Sequence, residues 1–78
     1  MDKYYIVCYK EIGSDGYINY FVDFFTDLML GKNYLQWQSK NVCNRGAWLV
    51  SNGSDFLAIP GKDRREFQNL LKAKLHIN

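Results

Sequence analysis

The chain has 78 residues, the length of one domain. Hydrophobic residues make up 47% of it, which excludes a disordered chain, and no apolar run approaches the roughly 18 residues that cross a bilayer. The net charge of +2 is too small to imply nucleic acid by itself.

Six Tyr, five Phe and two Trp give the chain its character. A domain this short buries a modest share of its surface. Aromatic side chains, at roughly 150–250 Å² each, supply core that length alone would leave thin. So many rings are also more than a small domain is expected to hide, so a homodimer is expected to bury the surplus.

Residues 3–11 are dense in β-formers and read as a strand. Tyr4, Ile6 and Cys8 on one face, and Tyr5, Val7 and Tyr9 on the other, suit a central strand or an edge that meets another chain. Gly13-Ser14-Asp15-Gly16 then signals a turn.

Residues 17–30, YINYFVDFFTDLML, read two ways. Composition favours a strand. Periodicity favours a helix, because at about 100° per residue Asn19, Asp23, Thr26 and Asp27 share one polar stripe. Ser14 or Asp15 can cap such a helix, and Gly31 with Lys32 stands where it would stop. The sequence predicts a helix over about 16–30; the alternative is a β-hairpin turning at 13–16.

Residues 31–46 are polar, broken by Asn and Gly, and read as loop, with an optional short strand near 34–38. Residues 47–51 and 56–59 flank Asn52-Gly53, a hairpin signal, and Pro60-Gly61 closes the second strand. A helix is predicted over 63–76. Asp63 and Glu66 have capping-box spacing, Phe67, Leu70, Leu71 and Leu75 form one apolar stripe, and Lys72, Lys74 and His76 suit the helix C-terminus. The fold class is therefore α+β: one domain over 1–78, with two helices on an antiparallel or mixed sheet of three or four strands. The alternative is a five-stranded, barrel-like sheet with the C-terminal helix alone.

Catalysis finds little support. The one histidine, His76, lies near the terminus, and a Ser or Cys nucleophile needs a positioned base. Cys8, Cys43 and His76 lack the close pairs of a zinc site, and Gly31-Lys32 lacks the upstream glycine of a phosphate loop. No enzyme activity, metal or other cofactor is expected. Met1-Asp2-Lys3 runs into an apolar segment without a small-residue cleavage site. The expectation is a cytoplasmic protein with no membrane attachment and two free thiols.

Two constellations suit binding. Tyr34, Trp37, Lys40 and Arg45 combine aromatic and basic groups, as protein hot spots and stacks for unpaired bases do. Lys62, Arg64, Arg65, Lys72 and Lys74 form a basic side of the last helix, interleaved with Asp63 and Glu66. Residues 1–39 carry three Lys/Arg against five Asp/Glu, and residues 40–78 carry seven against three. Residues with A/T-rich codons (Phe, Tyr, Met, Ile, Asn, Lys) number 32, against 13 Gly, Ala, Arg and Pro, which points to an AT-rich genome such as a low-GC bacterium or its phage. The expected function is a small, non-catalytic protein-binding module, for instance a phage-encoded inhibitor of a host defence or nucleic-acid-processing system. The alternative is a single-stranded nucleic-acid binder that stacks bases on aromatic rings.

Overall fold

A computed structural model describes residues 4–51 and 56–75. The chain forms β1 (Tyr5–Ile12), β2 (Ile18–Phe25), α1 (Leu28–Ser39), β3 (Asn44–Ser51), a 3-10 turn (Phe56–Ala58) and α2 (Gly61–Leu75). The sheet order is β2-β1-β3, and both pairings are antiparallel. The described residues make a small α+β fold with three strands and two helices.

Side chains alternate across a strand, and here each set meets a different helix. Ile6, Cys8, Val22 and Val50 join Phe56, Ile59, Phe67 and Leu71 in the buried core under α2. On the other face, Tyr34 of α1 meets the rings of Tyr9 and Phe25. Gly31 of α1 lies so close that an added Cβ would stand 3.3 Å from Leu49 Cδ1 and 3.8 Å from Tyr5 Cβ. The sheet is thus the middle of three layers. Ile6, Val7, Cys8 and Tyr9 are all buried, as apolar residues on both faces of a central strand predict.

The helix predicted over 16–30 is not formed. Residues 13–16 make the hairpin turn instead, with Gly16 at φ 84°, where only glycine sits without strain. Asp15, read as a helix cap, accepts a hydrogen bond from the Tyr17 amide at 3.0 Å within that turn. β2 then runs back along β1 from Ile12↔Ile18 to Tyr5↔Phe25. Asn19, Asp23 and Asp27 misled because a spacing of four returns to the same face in a helix and in a strand alike.

The segment read as loop, with its optional strand near 34–38, is instead helical up to Ser39 in α1 and enters β3 at Asn44. The N-cap of α1 is Asp27, whose Oδ1 accepts from the Met29 amide at 2.8 Å. Gly31 lies inside this helix, where closeness to the sheet requires a small residue. The second strand of the expected 47–59 hairpin is a 3-10 turn, and Asn52-Gly53 falls outside the described residues. Pro60 precedes the last helix rather than ending a strand: its carbonyl accepts from the Arg64 amide at 2.8 Å. Asp63 caps nothing. It is turned into the sheet, as described next.

Candidate functional site

Two polar clusters tie the helices to the sheet, one on each face. Under α2, Asp63 is only 6% exposed. Lys10 Nζ donates to its Oδ2 at 2.8 Å, and the Tyr20 hydroxyl donates to its Oδ1 at 2.9 Å. Burial alone would raise the Asp63 carboxyl; the Lys10 and Tyr20 hydrogen bonds outweigh it and hold the group below its usual range. Burial, with the hydrogen bond to Asp63, raises the Tyr20 phenol in turn. Lys10 and Tyr20 are cross-strand neighbours, so the carboxylate fastens the first turn of α2 across β1 and β2.

Under α1 the ties are mostly neutral. Tyr9 Oη donates to Asp23 Oδ2 at 2.8 Å and lies 3.0 Å from Tyr34 Oη, and Gln38 Nε2 donates to Tyr34 Oη at 3.0 Å. Tyr9 has one hydroxyl proton and the carboxylate takes it. Tyr34 therefore donates to Tyr9, and the chain runs in one direction: Gln38 to Tyr34 to Tyr9 to Asp23. Burial, then the bond with Tyr34, raises the Tyr9 phenol far above its ordinary value. Phe21 stacks on Tyr9 at 5.2 Å between centroids. Gln38 is 3% exposed, and its Oε1 has no partner among the described residues.

Trp37 stands on this underlayer. Its ring lies 5.9 Å from that of Tyr34, yet the residue is 64% exposed. Trp37, Lys40 and Asn41 line a shallow depression of about 510 Å³. The rim is held by the loop after α1. Asn41 Oδ1 accepts from the Cys43 amide at 3.0 Å, and its Nδ2 donates to Glu11 at 3.3 Å. Arg45 sits at a β-bulge, since β1 advances one residue from Lys10 to Glu11 while β3 moves from Gly46 to Asn44. Its guanidinium donates to the Val42 and Asn44 carbonyls at 2.9 and 3.1 Å.

The four residues predicted as one site therefore divide. Trp37 and Lys40 share the depression, Tyr34 lies beneath it, and Arg45 braces the adjoining loop. Asn41 was missed, as were Tyr9, Asp23 and Gln38 in the layer below. The five basic residues divide too. Lys62, Arg64 and Arg65 line a concavity of about 720 Å³ with Gly61, Glu66 and Gln68. Arg64 is partly committed, donating to the Ile59 carbonyl from Nε and Nη2. Lys74 faces a separate groove beside Leu70 and β2, and Lys72 is exposed on α2. Among the described residues no three His, Cys, Asp or Glu side chains are grouped as metal ligands, and no helix is long and apolar enough to cross a membrane. Cys8 and Cys43 are both free thiols, the first buried.

Compared with protein-family models, curated proteins and solved structures, the chain matches none.

Proposed function

We propose that the chain is a small, non-catalytic binding module that acts by occupying the surface of a macromolecular protein partner. Trp37 is the anchor, Lys40 and Asn41 line the depression beside it, and Arg45 braces the adjoining loop. The observation that carries this reading is the exposure of Trp37 above a bonded underlayer. A large amphipathic ring held before binding loses little freedom on binding, which favours an interface hot spot. Lys40 then supplies steering or a charge-assisted hydrogen bond. Small size and AT-rich coding support one form of this role, a phage-encoded inhibitor working in the bacterial cytoplasm.

A second reading, single-stranded nucleic-acid binding, draws on the same ring and Lys40. It is the weaker one on geometry. The basic concavity of α2 and the Trp37 depression lie on opposite layers of the sheet, so a strand stacked on Trp37 would have few cations to follow.

The test is capture from bacterial lysate, with and without nuclease, using the wild type, Trp37→Ala and Arg65→Ala. A protein should be retained after nuclease, kept by Arg65→Ala and lost with Trp37→Ala. With that partner purified, Trp37→Ala should weaken binding by about 2 kcal/mol, roughly thirtyfold. Capture that vanishes with nuclease would favour the second reading, and capture unchanged by Trp37→Ala would refute the first.

A further inference from the structure

The two edges of the sheet are unlike. The β3 edge carries a bulge and a bonded arginine at Arg45, devices that discourage another strand from adding. The β2 edge carries neither. It is eight residues long, pairs without a bulge, and has no Pro, Lys or Arg. Ile18, Phe21 and Phe24 along it are 39–46% exposed, and Tyr17 beside it is 72% exposed. A groove of about 280 Å³ follows Tyr20, Phe21, Val22 and Asp23, with Leu70 and Lys74 on its α2 side.

The backbone phase of this edge can be read from the turn. The Gly13 amide donates to the Tyr17 carbonyl at 2.8 Å. Antiparallel ladders alternate, so the odd residues of β2 turn their backbone groups to β1. Ile18, Tyr20, Val22 and Phe24 turn theirs outward, ready for a strand.

We infer that β2 pairs antiparallel with β2 of a second copy, about a two-fold axis at Phe21. A two-fold that places strands side by side and antiparallel stands perpendicular to the sheet. It keeps each face on its own side, so it must centre on a residue. Centred on Phe21, it sets Phe21 against Phe21, Tyr20 against Val22, Asn19 against Asp23, Ile18 against Phe24 and Tyr17 against Phe25. Every apolar residue meets an apolar or aromatic one, and the amide meets the carboxylate. Centred on Val22, it would set Phe21 against Asp23 and Asn19 against Phe25. The first register closes as a dimer with a continuous six-stranded sheet, covers both open edges, and leaves the guarded β3 edges outside. Both α1 helices then lie on one side of the dimer, so the two Trp37 rings face the same way. That consequence bears on the proposed function, while the dimer itself does not depend on it.

Sedimentation equilibrium of the full chain tests the pairing. A dimer is expected at tens of micromolar, and Phe21→Lys, which sets like charges against each other at the axis, should be monomeric with unchanged far-ultraviolet circular dichroism. Cross-linking tests the register in a Cys43→Ser background. Opposed non-hydrogen-bonded residues have Cα atoms about 4.5 Å apart, within reach of a disulfide. Under mild oxidation Phe21→Cys should therefore cross-link to itself. Asn19→Cys should cross-link only when mixed with Asp23→Cys, and Val42→Cys, exposed on the loop after α1, should not. A monomer at high micromolar concentration would overturn the inference, including the case where this edge takes a strand from a different protein. Equal cross-linking from Val42→Cys would overturn it as well.

Discussion

The same three strands present two faces, and the faces are built differently. The α2 face is close-packed and apolar around one ion pair: Phe67 and Ile59 are fully buried, Phe67 takes ring contacts from Tyr20 and Trp48, and Lys10 pairs with Asp63. Gly46 makes room there, since a Cβ would stand 2.5 Å from Trp48 Cη2. The α1 face is light. Helix α1 buries only Gly31 and Gln38 and leaves Met29, Leu30 and Trp37 more than half exposed. Its attachment leans on a close glycine and a chain of phenols. Burial around an ion pair holds the α2 face, while on the α1 face neutral directional bonds carry a surface that is left largely open.

That contrast can be broken most forcefully at Phe67. Phe67→Ala should cost about 3–5 kcal/mol, enough to unfold so small a domain, as read by chemical denaturation. Next comes the ion pair at the start of α2. Lys10→Met leaves a buried carboxylate with only Tyr20 and should cost about 2 kcal/mol at neutral pH, less than a fully enclosed pair because Lys10 is partly exposed. The folded Asp63 carboxyl titrates below its unfolded value. Its contribution is therefore complete above about pH 4, and it is lost as pH falls from there through the lower folded value. The acid limb of the stability curve should be shallower in Lys10→Met.

On the α1 face the expected effects are smaller. Tyr34→Phe removes the link between Gln38 and Tyr9 and should cost about 1 kcal/mol, measured by the same denaturation. Trp37→Ala should change stability by no more than about 0.5 kcal/mol. The thiols sharpen the comparison without any change of stability. Burial pushes Cys8 up to about 12, so at pH 8 in native protein alkylation should label Cys43 and leave Cys8 unmodified until the protein is denatured.

The parts legible in the sequence were those with one structural demand. β1 is apolar on both sides because both sides are covered. α2 shows its stripe because one side packs. β2 and α1 answer to two demands at once. β2 is an edge strand with apolar residues on both faces, and its Asn19 and Asp23 recur at a spacing that fits a helix as well as a strand; α1 keeps a glycine mid-helix because closeness to Leu49 and Tyr5 outweighs propensity. Asp63 has the spacing of a cap, but Lys10, 53 positions away, claims it. At the candidate site Trp37 and Lys40 could be found by residue type. Tyr9 and Asp23 could not, because their meeting depends on the hairpin that brings β2 beside β1. Asn41 carried a local signal, an Asn two residues before the amide it accepts, that gains meaning only at a helix end.

The most direct test of a displayed but immobile Trp37 is its own fluorescence, in a Trp48→Phe background that leaves it the only tryptophan. Emission should be red-shifted and readily quenched by a soluble quencher, with high anisotropy that falls in Tyr34→Ala. Blue-shifted, shielded emission would place Trp37 in the core, and low anisotropy in the parent protein would deny the rigid underlayer; either result would contradict the division between the two faces.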